Sequence, residues 1–254
     1  MQTSINTSTK TEFREGLLDG IPIALGYFAV SFSFGILGSL DGLSIWQTTL
    51  ISMMNVTSAG QFAGLTIMAN LGSLLEIALT QLIINLRYSL MSISLTQKVD
   101  EHFKGIWRML FSFFVTDEIF AVASGRKKSV SRLYFFGLVT LPYWGWALGT
   151  LFGAVLGDVL PTLVVTSLGI ALYGMFIAIV TPAARDQKNV RIIVLIAIVI
   201  SCCLHYLPLL KQISSGFAII ISAIAASAVG ALLFPVDGDE ASDEQESERK
   251  ELIS

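Results

Sequence analysis

The sequence predicts an all-α fold, a polytopic transmembrane helix bundle with seven or eight membrane segments, some of them broken or re-entrant. Three observations carry that prediction. Of the 254 residues, 54% are hydrophobic and only 14% charged, against about 25% charged in an average soluble domain. Mean hydropathy is +0.72, and so few charges cannot cover the outside of a water-soluble core of this size. A bilayer core takes about 20 mostly apolar residues per helix, and eight such runs follow one another with no room between them for a soluble domain. A soluble enzyme, a nucleic-acid binder and a disordered protein are thereby excluded.

In chain order, residues 1–15 read as a polar, Ser/Thr-rich lead, 16–235 as the transmembrane domain and 236–254 as an acidic, disordered tail. The tail holds eight acids against two bases, a charge of −6, so the formal net charge of −3 hides a body of +3. The first apolar run, 17–38, exceeds a signal peptide's apolar stretch and lacks a cleavage site followed by a soluble body. Within it Pro22 removes a backbone hydrogen bond and Gly26 admits a kink next to Tyr27. The second run, 44–69, is interrupted by the small and polar residues Asn55 to Gln61. These suit either hydrogen bonds between helices or a break whose freed backbone groups line a cavity. At such a break the N–H groups around Ser58 and Gly60 would attract a carboxylate.

The third run, 71–96, contains Asn85-Leu86-Arg87-Tyr88, with Glu76 expected near an interface. Arginine at a membrane-helix centre costs about 2.5–3.5 kcal/mol unless an acid, a carbonyl or water meets it, so Arg87 either snorkels or works in a site. The fourth run, 109–124, has Asp117 and Glu118 in its middle. It is short enough to be re-entrant, and one of its acids could pair with Arg87. The fifth, 133–157, carries Gly145, Gly149, Gly153 and Gly157, a flat stripe for close helix packing within the chain or against a partner. Tyr143, Trp144 and Trp146 read as interfacial anchors beside Pro142. A faint internal echo relates Phe34 to Gly38 with Phe152 to Gly157. Runs 160–183, 191–210 and 213–235 complete the body, the adjacent Cys202 and Cys203 forming neither a disulfide framework nor a CxxC motif.

Lysines and arginines between spans set orientation. Lys10 and Arg14, the cluster Arg126, Lys127, Lys128 and Arg132, and the cluster Arg185, Lys188 and Arg191 place the N-terminus and the acidic tail in the cytoplasm. With every run crossing once, the loop 97–108, with Lys98, Lys104 and Arg108, falls outside and breaks the rule. His102 and His205 are too isolated for a metal pair. No motif for a metal, phosphate, dinucleotide or serine-nucleophile site is present, so neither metal, cofactor nor enzyme activity is expected.

Together these residues resemble the AzlC-type branched-chain amino-acid permeases, the large subunit of a two-component exporter. The matching pieces are Gly20 to Ile23 with Gly26-Tyr27 and Phe34-Gly35, then Ser58 to Phe62, Asn85 to Tyr88, Asp117-Glu118, Trp146 with its glycine stripe, and Gly169 to Phe176. They occur in order over about residues 13–235. Some members carry an acid near the position of Ala171, and this chain has none. The resemblance implies efflux of leucine, isoleucine, valine and sometimes methionine across the bacterial inner membrane, with a small hydrophobic AzlD-type subunit. It leads us to expect a midplane pocket in which the break at Ser58 to Gln61 receives the substrate carboxylate, Asp117 or Glu118 meets its ammonium group or carries a coupling proton, and Arg87 holds the acid. A channel-like or structural membrane subunit, or a transporter of another small zwitterion, is the alternative.

Overall fold

In the computed structural model, residues 2–100, 103–157, 184–207, 210 and 213–235 are described, with Leu163, Gly174, Ile177, Val180 and Thr181. The acidic tail and almost all of run 160–183, including most of Gly169 to Phe176, lie outside the described residues. Two compact units divide the chain, Met1–Asn70 with Ile84–Tyr173, and Leu71–Ile83 with Gly174–Ser254.

Helix α1 (Gln2–Leu40) begins inside the stretch expected to be a polar lead and continues through Pro22 and Gly26 without a break. At 1.5 Å per residue it is about 58 Å long, well beyond a 30 Å hydrocarbon core, so its polar first turns lie outside the apolar region. Those turns are tied down: Arg126 pairs with Glu15 at 2.7 Å, Ser131 donates to Glu12 at 2.6 Å and Tyr134 to Asp19 at 2.7 Å.

The main partner of α1 is α7 (Arg132–Leu156), which starts where the Ser131 hydroxyl caps the Tyr134 N–H at 3.2 Å. The glycine stripe makes this contact. A Cβ at Gly145, Gly149 or Gly153 would strike the carbonyls of Ala24, Phe28 and Phe32 in turn, and one at Gly35 would strike the Thr150 carbonyl. The partners advance together, four residues at a time on both helices, so α1 and α7 run parallel at backbone contact. The echoed Phe-Gly pairs sit on these facing helices, Gly35 against Gly153. The stripe is therefore used inside the chain.

Between α1 and α7 the chain builds two helical hairpins. Helices α2 (Ile45–Met54) and α3 (Ser58–Ala69) occupy the run 44–69. A capping box, Ser44 with Gln47, starts α2 beside the C-terminal end of α1, where Thr48 faces Gly38. The helix then descends along α7, its Ser52 hydroxyl 2.6 Å from Thr150 and its Met53 carbonyl accepting from the Tyr143 hydroxyl at 3.2 Å. After the break at 55–57 the chain reverses. The Gln61 amide donates back to Ser52, and Phe62 meets Phe34 near the end of α1 where α2 began. One broken crossing would leave Ser52 and Gln61 about 13 Å apart along its axis, so their contact requires a hairpin. That corrects the expectation of a single crossing over 44–69.

Helix α4 (Leu74–Leu95) delivers the chain to the end of the unit where α7 starts, because Val99 bridges Val130 and the Lys98 ammonium reaches the Ser124 carbonyl at 2.5 Å. From there α5 (Ile106–Ser112) and α6 (Asp117–Gly125) enter and return. Phe111 packs on Phe135 near the start of α7 and Phe114 reaches Tyr143 in its middle, whereas Arg126 is back over the Tyr134 ring. Run 109–124 is thus re-entrant. The loop 97–108 consequently lies at the same end as Arg126 and Arg132, and the exception in the charge pattern disappears.

In the other unit α8 (Lys188–Tyr206) packs on α9 (Ser215–Leu233). Glu76, in the first turn of α4, is buried there and accepts the Gly216 N–H at 2.9 Å, in the first turn of α9, and the hydroxyl of Ser214, the residue just before that helix. Among the described residues five helices are long and apolar enough to cross a membrane: α1, α4, α7, α8 and α9.

Candidate functional site

Both hairpin tips reach the middle of α7, where Tyr143 touches each, bonding Met53 of the first and stacking edge-on with Phe114 of the second at 5.4 Å. The N-termini of α3 and α6 therefore sit at a shared middle level, and the two helices run away from it. Their starts are chemically different. Thr57 precedes α3 but gives no side-chain cap, its hydroxyl bonding Asn55 instead at 2.7 Å. Thr116 caps α6 by accepting the Ile119 N–H at 3.4 Å.

The charged cluster assembles at the second tip. Asp117 takes Arg87, Nη2 to Oδ2 being 2.9 Å, with the two side chains 27% and 41% exposed. The same guanidinium nitrogen donates to the Tyr88 hydroxyl at 3.0 Å and its carbon lies 4.8 Å from that ring. Glu118 points a different way, as neighbours about 100° apart on a helix must. It accepts the Tyr27 hydroxyl at 2.7 Å. Tyr27 also lies 2.5 Å from the Thr116 hydroxyl, and the donor directions follow from the inventory of protons. Tyr27 has one proton, given to the carboxylate, so Thr116 must donate to Tyr27 while its oxygen accepts Ile119. Every bond in this chain donates in the direction of the Glu118 carboxylate. Asp117 is balanced by Arg87; among the described residues Glu118 has no cation, and its side chain remains exposed.

A second, uncharged network secures the first hairpin. Trp146 donates to the Gln61 oxygen at 3.1 Å, the Gln61 amide donates to Ser52, and Ser52 meets Thr150, all four residues at 2% exposure or less. Trp146 is thus a core residue, which corrects its reading as an interfacial anchor. Its ring stands edge-on to Tyr27 at 5.2 Å, so one aromatic pair links the two hairpins. Sequence reasoning missed Ser52, Thr116, Trp146 and Thr150 in this role. The signal for Thr116 was present, a threonine directly ahead of two acids at a helix start.

Of the residues singled out from sequence, Tyr27, Arg87, Tyr88, Asp117 and Glu118 come together. Gln61 joins them through Trp146, but both ends of its amide are engaged internally. Ser58 and Gly60 lie in the first turn of α3. Pro22 and Gly26 are on the exposed face of α1, with nothing within 4 Å of a Cβ at Gly26, so neither kinks the helix into a break nor faces the cluster. Asn85 is about 200° around α4 from Arg87. Among the described residues no group of His, Cys, Asp and Glu could hold a metal ion.

A family model described as AzlC protein matches residues 22–160, a stretch that contains both hairpins and the cluster. The chain is 29% identical over 234 residues to a protein of Archaeoglobus fulgidus described as an uncharacterized membrane protein, covering 91% of this chain and 98% of that one. It is 29% identical over 150 residues to the inner membrane protein YgaZ of Escherichia coli, 58% of this chain and 61% of that protein. An uncharacterized membrane protein of Helicobacter pylori strain J99 is 27% identical over 151 residues, 58% of this chain and 64% of that protein. No solved structure matches the chain.

Proposed function

The chain belongs to the AzlC family of membrane proteins, and from that premise we propose that it is a secondary transporter exporting leucine, isoleucine, valine and methionine across the bacterial inner membrane, with a small hydrophobic AzlD-type subunit. The N-terminus and both turns of loop 97–108 and 126–131 face the cytoplasm, the side to which their lysines and arginines assign them. The observation that carries the reading is Glu118: an exposed carboxylate at mid-height that accepts the Tyr27 hydroxyl and has no cation partner among the described residues. An amino acid supplies that cation. Its ammonium group meets Glu118, and its carboxylate lies toward the N–H groups at the start of α3, the positive end of that helix. Asp117 and Arg87 neutralise each other and hold the tip of the second hairpin, so the substrate meets one negative charge rather than two. Coupling to protons through Glu118 is compatible with this site, since a carboxylate that binds either a proton or an ammonium group exchanges one for the other.

The test is export of the four amino acids from cells carrying both subunits, either subunit alone, or neither. Export is expected only with both, and Glu118→Gln is expected to reduce it at least about tenfold, the scale of one lost charged hydrogen bond. Unchanged export from Glu118→Gln cells contradicts the assignment.

A further inference from the structure

Among the described residues Glu76 is the only carboxylate that is buried, 4% exposed. It belongs, with Ser214 and Gly216, to the unit that does not contain the charged cluster. Its two oxygens are treated unequally. Oε1 takes both the Gly216 N–H at 2.9 Å and the Ser214 hydroxyl, whereas Oε2 accepts from no described residue. Among the described residues no cation balances it. Helix α9 carries no ionisable side chain, and Arg87 is about 16 Å further along α4. His205, in the last turn of α8, is exposed, and Lys211, between α8 and α9, lies outside the described residues.

A second observation lies one turn along the same helix. Residues four apart share a helix face, and side chains lean toward the N-terminal turn. Thr80 is thereby directed at the turn that bears Glu76. It is 0% exposed, and its hydroxyl has no hydrogen-bond partner. Other helical threonines of this chain behave differently. Thr48, Thr49, Thr66, Thr140 and Thr181 each donate to the carbonyl four residues back, at 2.6–3.0 Å. For Thr80 that carbonyl belongs to Glu76, and the bond is not made. Buried polar atoms are ordinarily paired; this oxygen lacks a donor, and a protonated Glu76 supplies one.

We propose that Glu76 is a protonation site, separate from Glu118, which takes up the proton coupled to amino-acid export. The proposal rests on the transport reading above, in whose orientation the first turn of α4 lies on the side away from the cytoplasm. A proton from the water on that side adds to Oε2 and forms an O–H bond. The neutral carboxyl donates this proton to Thr80, whose own proton turns to the Glu76 carbonyl, as in the other five threonines. The negative charge that strengthened the bonds from Gly216 and Ser214 is then gone. Proton uptake thus loosens the grip of α4 on the start of α9, and proton release restores it. Glu118 is left to the substrate, so proton and ammonium group do not compete for one carboxylate.

The test uses the full chain with its small subunit in proteoliposomes. Glu76→Gln keeps an oxygen for Gly216 and Ser214, and so keeps a merely structural contact, but takes up no proton. Thr80→Val keeps the shape and removes the hydroxyl; Thr80→Ser retains the hydroxyl. In a pH titration followed by infrared difference spectroscopy, the wild type is expected to show a protonated-carboxyl band that Glu76→Gln removes. Thr80→Val is expected to move that band to higher frequency, and Thr80→Ser to leave it in place. In the same vesicles Glu76→Gln is expected to lose the stimulation of leucine export by an imposed proton gradient, while leucine-for-leucine exchange continues near the wild-type rate. Carboxyl bands unchanged by Glu76→Gln, or gradient-driven export unchanged by it, overturn the proposal. Loss of exchange together with net export in folded Glu76→Gln protein makes Glu76 part of the substrate step and overturns it too. A band that titrates as expected in a protein that moves no leucine upholds the protonation site and sinks the transport reading, which keeps the two failures apart.

Discussion

Tyr27 has the most constrained role of any single side chain in the cluster. Its hydroxyl relays between Thr116, from which it accepts, and Glu118, to which it donates, and its ring rests on Trp146, which secures the first hairpin. Tyr27→Phe keeps the ring and removes the proton. Glu118 then loses a hydrogen bond to a charged group, worth about 1.5–3 kcal/mol, and leucine export is expected to fall about tenfold while the amount of folded protein stays near wild type. Export unchanged in Tyr27→Phe would show that the bond is incidental. At this scale much was legible in the sequence: Arg87, Asp117 and Glu118 attract notice because hydrocarbon penalises them. Which acid pairs with Arg87 was not, because adjacent helical residues diverge by an angle that only the placed hairpin resolves. Trp146 was misleading for a related reason. Tryptophan has an apolar body and one N–H, which suits an interface and equally a core position opposite a buried Gln61.

The glycine stripe on α7 was plain from spacing, yet spacing alone does not say what packs on it; the answer, α1, emerges only from the facing carbonyls of Ala24, Phe28 and Phe32. The hairpins were harder to read. Run 44–69 is long enough for one crossing, and hydropathy adds the two half-length helices together as though they were collinear. The break at Asn55 to Thr57 marked an interruption without giving the direction of the chain after it. Sidedness of labelling distinguishes the two paths. In a background with Cys202 and Cys203 replaced by alanine, Asp41→Cys and Leu71→Cys are expected to react from one side of the membrane, Lys104→Cys and Lys127→Cys from the other. A chain that crossed once in each run would group position 41 with 104 and position 71 with 127, and that grouping would overturn both hairpins.

On the scale of the molecule, the arrangement concentrates polarity where two half-helices stop. Parallel α1 and α7 provide a rigid backbone-to-backbone pair, and a hairpin from each end reaches Tyr143 at mid-height. The low charge content that marked the chain as a membrane protein also marks the site, since few charges occur within the apolar runs and three of them, Arg87, Asp117 and Glu118, meet there. The central claim is that Glu118 binds the substrate's ammonium group, as distinct from only carrying a coupling proton. Leucine counterflow in proteoliposomes separates the two, because exchange of leucine for leucine needs the substrate site and no net proton movement. Wild-type protein with its small subunit is expected to exchange labelled leucine, and Glu118→Gln to lose exchange together with net export. Exchange at the wild-type rate in Glu118→Gln, with only net export lost, would contradict the claim.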